Sequence, residues 1–126
     1  FMTLTMLTRY PDVFKVGIAG GPVCDWSLYE VMYGERYMDT PQENPEGYAF
    51  NNISNNIEKL KAKLLLIHGY QDATVVPQNV LGLIKTAVDK DIMIDMAFYT
   101  GHAHNVTGPD RAHLIKRIKR YLDDNL

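Results

Sequence analysis

The chain holds a single cysteine, Cys24, and only two serines, Ser27 and Ser54. One thiol excludes an internal disulfide and leaves the redox compartment open. Neither serine lies in Gly-x-Ser-x-Gly, the stretch whose glycines make room for the strained turn that exposes a nucleophile. Cys24, within Gly21-Pro22-Val23-Cys24-Asp25, has no such setting either, and a buried lone cysteine usually acts as a small hydrophobe. No apolar run approaches the ~20 residues needed to span a bilayer. Residues Phe1 to Leu7 lack the basic start and small-residue cleavage site of a signal peptide. Neither sign of charge dominates: 13 Lys and Arg against 15 Asp and Glu give −2, without the basic stripe that nucleic acid recognition requires. What remains is ordinary globular composition, 46% hydrophobic and 22% charged, enough for one unit over residues 1–126. A phenylalanine inside an apolar, helix-like segment is an odd natural start, so the expectation is a piece of something larger.

The pattern along the chain is helix, strand, helix, strand, helix, strand, helix. Residues 1–9 read as a helix body closed at Tyr10-Pro11-Asp12, because proline disfavours helix at the residue before it. Phe14 to Ala19 reads as a short strand ended by Gly20-Gly21-Pro22. Trp26, Tyr29, Tyr33 and Tyr37 fall at helical spacing and predict a helix over 26–37. A loop from Asp39 to Pro45 and a short helix within 46–56 follow. Lys63 to Ile67 is the strongest strand, a continuous apolar run of the kind buried on both faces of a parallel sheet. After Pro77, residues Val80, Leu83, Ile84, Ala87 and Val88 form one apolar helix face. Ile92, Ile94, Met96 and Phe98 alternate with Met93, Asp95, Ala97 and Tyr99, a strand pattern. From Pro109, Leu114, Ile115, Ile118, Tyr121 and Leu122 mark a last amphipathic helix with a basic outer face. Strands alternating with crossover helices make an α/β fold with a parallel sheet, whose functional groups gather beyond the carboxyl ends of the strands.

Two acid-and-histidine stretches fall at such ends. His68-Gly69-Tyr70-Gln71-Asp72 follows the strongest strand, and Gly101-His102-Ala103-His104 follows the next one. An acid and then a histidine is the second half of a Ser…Asp…His order, in which the acid fixes the imidazole tautomer. Acids after strands are also common turn formers, and Thr74 or Asn79 could orient this turn as well. His102 competes with His104, and a His-x-His pair also admits a metal, although no third ligand sits at a persuasive spacing. His68 is expected to bond locally and His113 to lie on the surface of the last helix. The aromatic stripe, three of whose four rings have a polar tip, suits a half-open pocket for a flat apolar group such as proline.

These segments resemble the prolyl oligopeptidase family, in its dipeptidyl peptidase IV-like branch, over the whole chain. The resemblance rests on Phe1-Met2-Thr3, Pro22-Val23 with Trp26-Ser27-Leu28-Tyr29, Tyr33-Gly34-Glu35-Arg36-Tyr37-Met38, His68 to Asp72, and Tyr99 to His104. It implies a partial α/β-hydrolase fold: the C-terminal portion of a peptidase domain, lacking the nucleophile-elbow half. In the family, Gly-x-Ser-x-Gly-Gly directly precedes the Phe-Met-Thr matched by Phe1 to Thr3. The resemblance makes Asp72 the catalytic acid and His104 the catalytic histidine, the sixth place counting from Tyr99. It makes Val23, Trp26, Tyr29 and Tyr33 the lining of the pocket for proline or alanine before the cut bond. Where the family often has an acidic residue and then a substrate-contacting asparagine after the aspartate, this chain has Ala73 and Thr74.

The implied function is a serine peptidase cutting after proline or alanine near the amino end of a peptide substrate, with no metal or organic cofactor. The present chain alone is expected to be inactive. Rivals are an esterase or acylaminoacyl peptidase on the same fold, and a non-catalytic interaction module that lost its serine. A homo-oligomer is expected, since open sheet edges invite pairing. Relatives of this kind occur at cell surfaces, in the periplasm and in the cytosol, and the expectation leans to a periplasmic or secreted protein.

Overall fold

The fold is built around one strand. In the computed structural model, which describes all residues from Phe1 to Leu126, β2 (Lys63–Gly69) lies between β1 (Val16–Gly20) and β3 (Asp95–Tyr99), all three parallel. Ile18 pairs with Leu65, and Ile67 with Ala97. Because successive side chains point to opposite faces, the run Leu64-Leu65-Leu66-Ile67 feeds two cores. Leu64 and Leu66 enter the larger one with Leu4 and Leu7 of α1 (Met2–Arg9) and Val80, Leu83 and Ala87 of α4 (Gln78–Asp89). Leu65 and Ile67 enter the smaller one with Ala97, Tyr99 and Val106, closed by Leu114, Ile118 and Tyr121 of α5 (Asp110–Asn125). Helices on both faces explain why β2 is apolar throughout instead of alternating.

The boundaries differ from the sequence reading for local reasons. β1 begins at Val16, leaving Phe14 partly exposed ahead of it. β3 begins at Asp95, because the chain after α4 is occupied in turning back. Asp91 adopts a φ of 56°, and the Ile92 N–H donates to the Ala87 carbonyl at 2.8 Å. Ile92 and Ile94 still pack against the larger core from this turn. The expected helix over 26–37 is two pieces: a 3-10 turn at Trp26–Leu28 and α2 (Val31–Met38), with Tyr29 extended between them. Asp25 causes the first piece, its side chain accepting from the Ser27 N–H and so capping a turn that closes after three residues. The short helix expected within 46–56 is likewise split. Asn44 caps α3 (Pro45–Asn51) by accepting from Gly47, and Asn52 caps a second 3-10 stretch, Ile53–Lys59, by accepting from Ser54.

No helix is long and apolar enough to cross a membrane. In the three-stranded sheet β1 and β3 each pair on one side only.

The two-sided burial of β2 predicts the energetic centre. Leu66 is fully buried, whereas Met93 is 85% exposed. Leu66→Ala should destabilise the fold by about 2–5 kcal/mol through lost burial and a residual cavity. Met93→Ala should stay within about 0.5 kcal/mol of wild type. Urea denaturation of both variants checks the contrast.

Candidate functional site

The loop after β2 and the loop after β3 are joined backbone to backbone. The Tyr70 N–H donates to the Tyr99 carbonyl and the Gln71 N–H to the His102 carbonyl, both at 3.0 Å. The Gly101 N–H donates to the Gln71 side-chain oxygen at 2.7 Å. Gly69 permits this approach: a Cβ there would lie 1.8 Å from the Ala103 carbonyl oxygen, closer than any side chain can come. Gly101, at φ +84°, supplies the left-handed turn that brings the second loop over.

The joined loops bring Asp72 and His104 together. His104 Nδ1 lies 2.8 Å from Asp72 Oδ2. The carboxylate is 2% exposed as a residue, while the His104 side chain is 41% exposed. Asp72 Oδ1 accepts the backbone N–H groups of Thr74 and Val75, each at 2.9 Å. Burial pushes the Asp72 carboxyl up, but the Val75 N–H, the His104 ring and the Thr74 N–H together outweigh it and hold it below the ordinary aspartate value. An ionised carboxylate can only accept, so the proton of a neutral His104 sits on Nδ1 and Nε2 is left bare. That arrangement leaves a basic nitrogen turned away from its buried acid, able to take a proton from a hydroxyl placed against it. The end of β1 meets the same ring. Gly21 stands at φ +51°, and a Cβ on it would come within 2.8 Å of His104 Cε1. The Gly21 N–H donates to the Ile67 carbonyl, which fixes this turn to β2.

The other histidines have other work. His68 is buried; its Nε2–H donates to the Val75 carbonyl at 2.8 Å and lies 3.6 Å from Asp72 Oδ2. Its Nδ1 has no hydrogen-bond partner. His68 thus braces the acid's loop from behind, the local bonding expected of it. His102 pairs through Nε2 with Asp110 at 2.8 Å and accepts the Thr107 N–H at Nδ1, tying its loop to the start of α5. His113 is exposed on α5, and its Nδ1 meets the Tyr99 hydroxyl at 2.9 Å. No group of three or more His, Cys, Asp or Glu side chains is arranged to hold a metal ion.

Trp26, Tyr29 and Tyr33 form a ring cluster although no single helix carries them. Trp26 meets Tyr29 edge-on at 5.4 Å, Trp26 and Tyr33 stack at 6.0 Å, and Tyr29 meets Tyr33 edge-on at 5.5 Å. Phe1 adds an edge contact to Trp26 at 5.3 Å. An adjoining cavity of about 230 Å³ is lined by Phe1, Trp26, Tyr33, Tyr37 and Met38, with Gly34 and Asn51. Val23 and Tyr29 do not line it; Val23 is buried in the segment that leads to Trp26. A larger cavity, about 430 Å³, lies between β3 and α5, away from Asp72 and His104.

No nucleophile accompanies the pair. The Ser27 hydroxyl donates to Asp25 at 2.7 Å, and Cys24 is buried, its thiol pushed up to about 12 by burial. A thiol so held is almost wholly protonated at neutral pH and inert.

The lowered Asp72 carboxyl has a stability consequence. Its contribution is complete above the ordinary aspartate value of about 4 and is lost as pH falls through the lower folded value. Thermal melts taken down a pH series should show wild type losing stability below about pH 4. Asp72→Asn should start less stable at neutral pH and lose less on acidification.

The chain is similar to proteins of known family. The sequence profile of the prolyl oligopeptidase family matches residues 1–126. A probable dipeptidyl-aminopeptidase B of Aspergillus oryzae is 43% identical over 113 residues, covering 84% of this chain and 12% of that protein. The crystal structure of Porphyromonas gingivalis dipeptidyl peptidase 4 superposes with a TM-score of 0.94 at 38% identity, over 98% of this chain and 18% of that one. A Bacteroides ovatus protein provisionally named dipeptidyl aminopeptidase IV superposes with a TM-score of 0.98 at 53% identity, over 99% of this chain and 18% of that one. The chain therefore spans less than a fifth of the length of these relatives. Its three parallel strands with flanking helices are a partial α/β-hydrolase fold, and the chain belongs to the prolyl oligopeptidase family of serine peptidases.

Proposed function

We propose that this chain is the C-terminal portion of a peptidase domain, and that the longer protein cuts peptides after proline or alanine near their amino end. The observation that carries this reading is the short bond from His104 Nδ1 to the buried Asp72 carboxylate, with the His104 side chain still 41% exposed. In the longer protein a serine hydroxyl, supplied by residues ahead of Phe1, attacks the substrate carbonyl. His104 Nε2 takes its proton and returns it to the leaving amine, and Asp72 stabilises the imidazolium formed in between. Water then repeats the sequence on the acyl-enzyme, regenerating the serine.

Val23, Trp26, Tyr29 and Tyr33 choose the residue before the cut bond. The rings of Trp26, Tyr29 and Tyr33 offer flat apolar surface, which suits a pyrrolidine better than a long charged chain. The names of the relatives, dipeptidyl peptidases among them, support release of dipeptides. Without the serine, the present chain by itself does not turn over substrate.

The test uses the longer protein and a chromogenic Xaa-Pro substrate. Asp72→Asn should lower kcat/KM about 10⁴-fold, since it removes the charge and the tautomer control together. His104→Ala should lower it by a comparable factor. Unchanged turnover in His104→Ala would remove the assignment and favour a non-catalytic module. A separate expectation concerns association: the one-sided pairing of β1 and β3 should make the isolated chain self-associate as concentration rises. Light scattering that reports a monomer throughout a dilution series would count against it.

A further inference from the structure

Asn79 stands in the first turn of α4, is 2% exposed, and belongs to neither the acid-histidine pair nor the aromatic cluster. Its side-chain oxygen accepts two consecutive backbone N–H groups, from Cys24 at 2.9 Å and from Asp25 at 3.0 Å. Only the oxygen can accept, so the orientation of this amide is fixed by chemistry. Its nitrogen then faces the Val76 carbonyl at 3.4 Å, and its backbone N–H donates to the same carbonyl at 3.0 Å. One buried amide therefore joins the loop after β2 to the segment after β1.

The segment it holds carries the aromatic cluster. Asp25, next to Cys24, accepts the backbone N–H and hydroxyl of Ser27 on Oδ1, and the Asn52 side-chain amide on Oδ2. These bonds cap the turn that begins at Trp26. The Cys24 carbonyl accepts the Ile53 N–H at 2.9 Å. Trp26 in turn contacts Tyr29 and Tyr33. On its other side, Asn79 is anchored one residue beyond Val75, whose N–H binds the Asp72 carboxylate. That carboxylate is held by Thr74 and Val75, and the Val75 carbonyl is braced by His68, so its bonds do not pass through the Asn79 amide.

We infer that Asn79 is a positioning residue that sets where the Trp26–Tyr29–Tyr33 cluster stands relative to Asp72 and His104, and thereby sets the preference for proline over alanine before the cut bond. The inference rests on the serine-peptidase reading. Removing the amide frees the Cys24–Asp25 segment and its rings while leaving the Asp72–His104 bond in place. Loss should therefore fall on substrate fit and selectivity, and not on activation of the serine.

The experiment uses the longer protein and compares matched Xaa-Pro and Xaa-Ala chromogenic substrates. It also measures the rate at which a small fluorophosphonate labels the serine, which depends on the base and not on the pocket. Asn79→Leu, similar in size without an acceptor, should raise KM for the proline substrate about tenfold and narrow the proline-to-alanine ratio of kcat/KM by a similar factor. Labelling should stay within about threefold of wild type. Asn79→Asp, which keeps the accepting oxygen, should restore the proline preference. Asp25→Ala breaks the outer end of the same network at a half-buried site, so it reports even where Asn79→Leu does not fold; it should narrow the ratio in the same direction. An unchanged ratio in Asn79→Leu or Asp25→Ala overturns the inference, as does labelling that falls in parallel with kcat at constant KM. Wild-type protein inert to both substrates and to the probe removes the serine-peptidase reading, and the inference with it.

Discussion

The structure depends on two backbones meeting where β2 ends. At Gly69 the loop that carries His104 comes within a distance that no Cβ could tolerate. That contact lets the hydrogen bonds from Tyr70 and Gln71 reach across to the neighbouring loop. Without it, the acid and the histidine would sit on separate strand ends with solvent between them. Gly21 repeats the device just beyond β1, so one glycine admits the backbone of the loop that carries the imidazole and the other admits the ring itself. Absence of side chains at these positions is as necessary to the site as the presence of Asp72 and His104.

A buried carboxylate is costly unless its charge is met, and here it is met chiefly by backbone. Two N–H groups of its own turn take one oxygen and the histidine takes the other. The acid therefore keeps two bonds from its own turn besides the one from the imidazole. The aromatic cluster is held differently, by side-chain amides and carboxylates: Asn79, Asp25 and Asn52 carry it through a relay of polar contacts. The acid-histidine pair and the aromatic cluster thus differ in what fixes them.

This difference explains what could be read from the sequence. β2, α4 and α5 announce themselves through local apolar pattern, and Asp72 and His104 through short motifs at predicted strand ends. The parallel α/β sheet followed from that order, and the partial α/β-hydrolase fold from the resemblance to the family. The stretch from Trp26 to Tyr37 was misleading because one ring spacing fits both a continuous helix and a 3-10 turn, an extended residue and a second helix. Side-chain capping by Asp25 decides between them, and propensity alone does not weigh that bond. Asn79 was legible only as a residue able to orient a turn, since its two donors lie 55 and 54 residues away. Gly21 carries no local sign of its contact with His104 at all.

In this sheet the strands lie side by side in the order in which the chain runs, β1, β2, β3. No strand has to be inserted between two already paired, so the sheet can widen in one direction as the polypeptide lengthens. The groups that cradle Asp72, His68, Thr74 and Val75, all lie within eight residues of sequence and precede β3. A ribosome emitting this chain therefore delivers the acid together with its cradle before the strand that leads to His104 has been made.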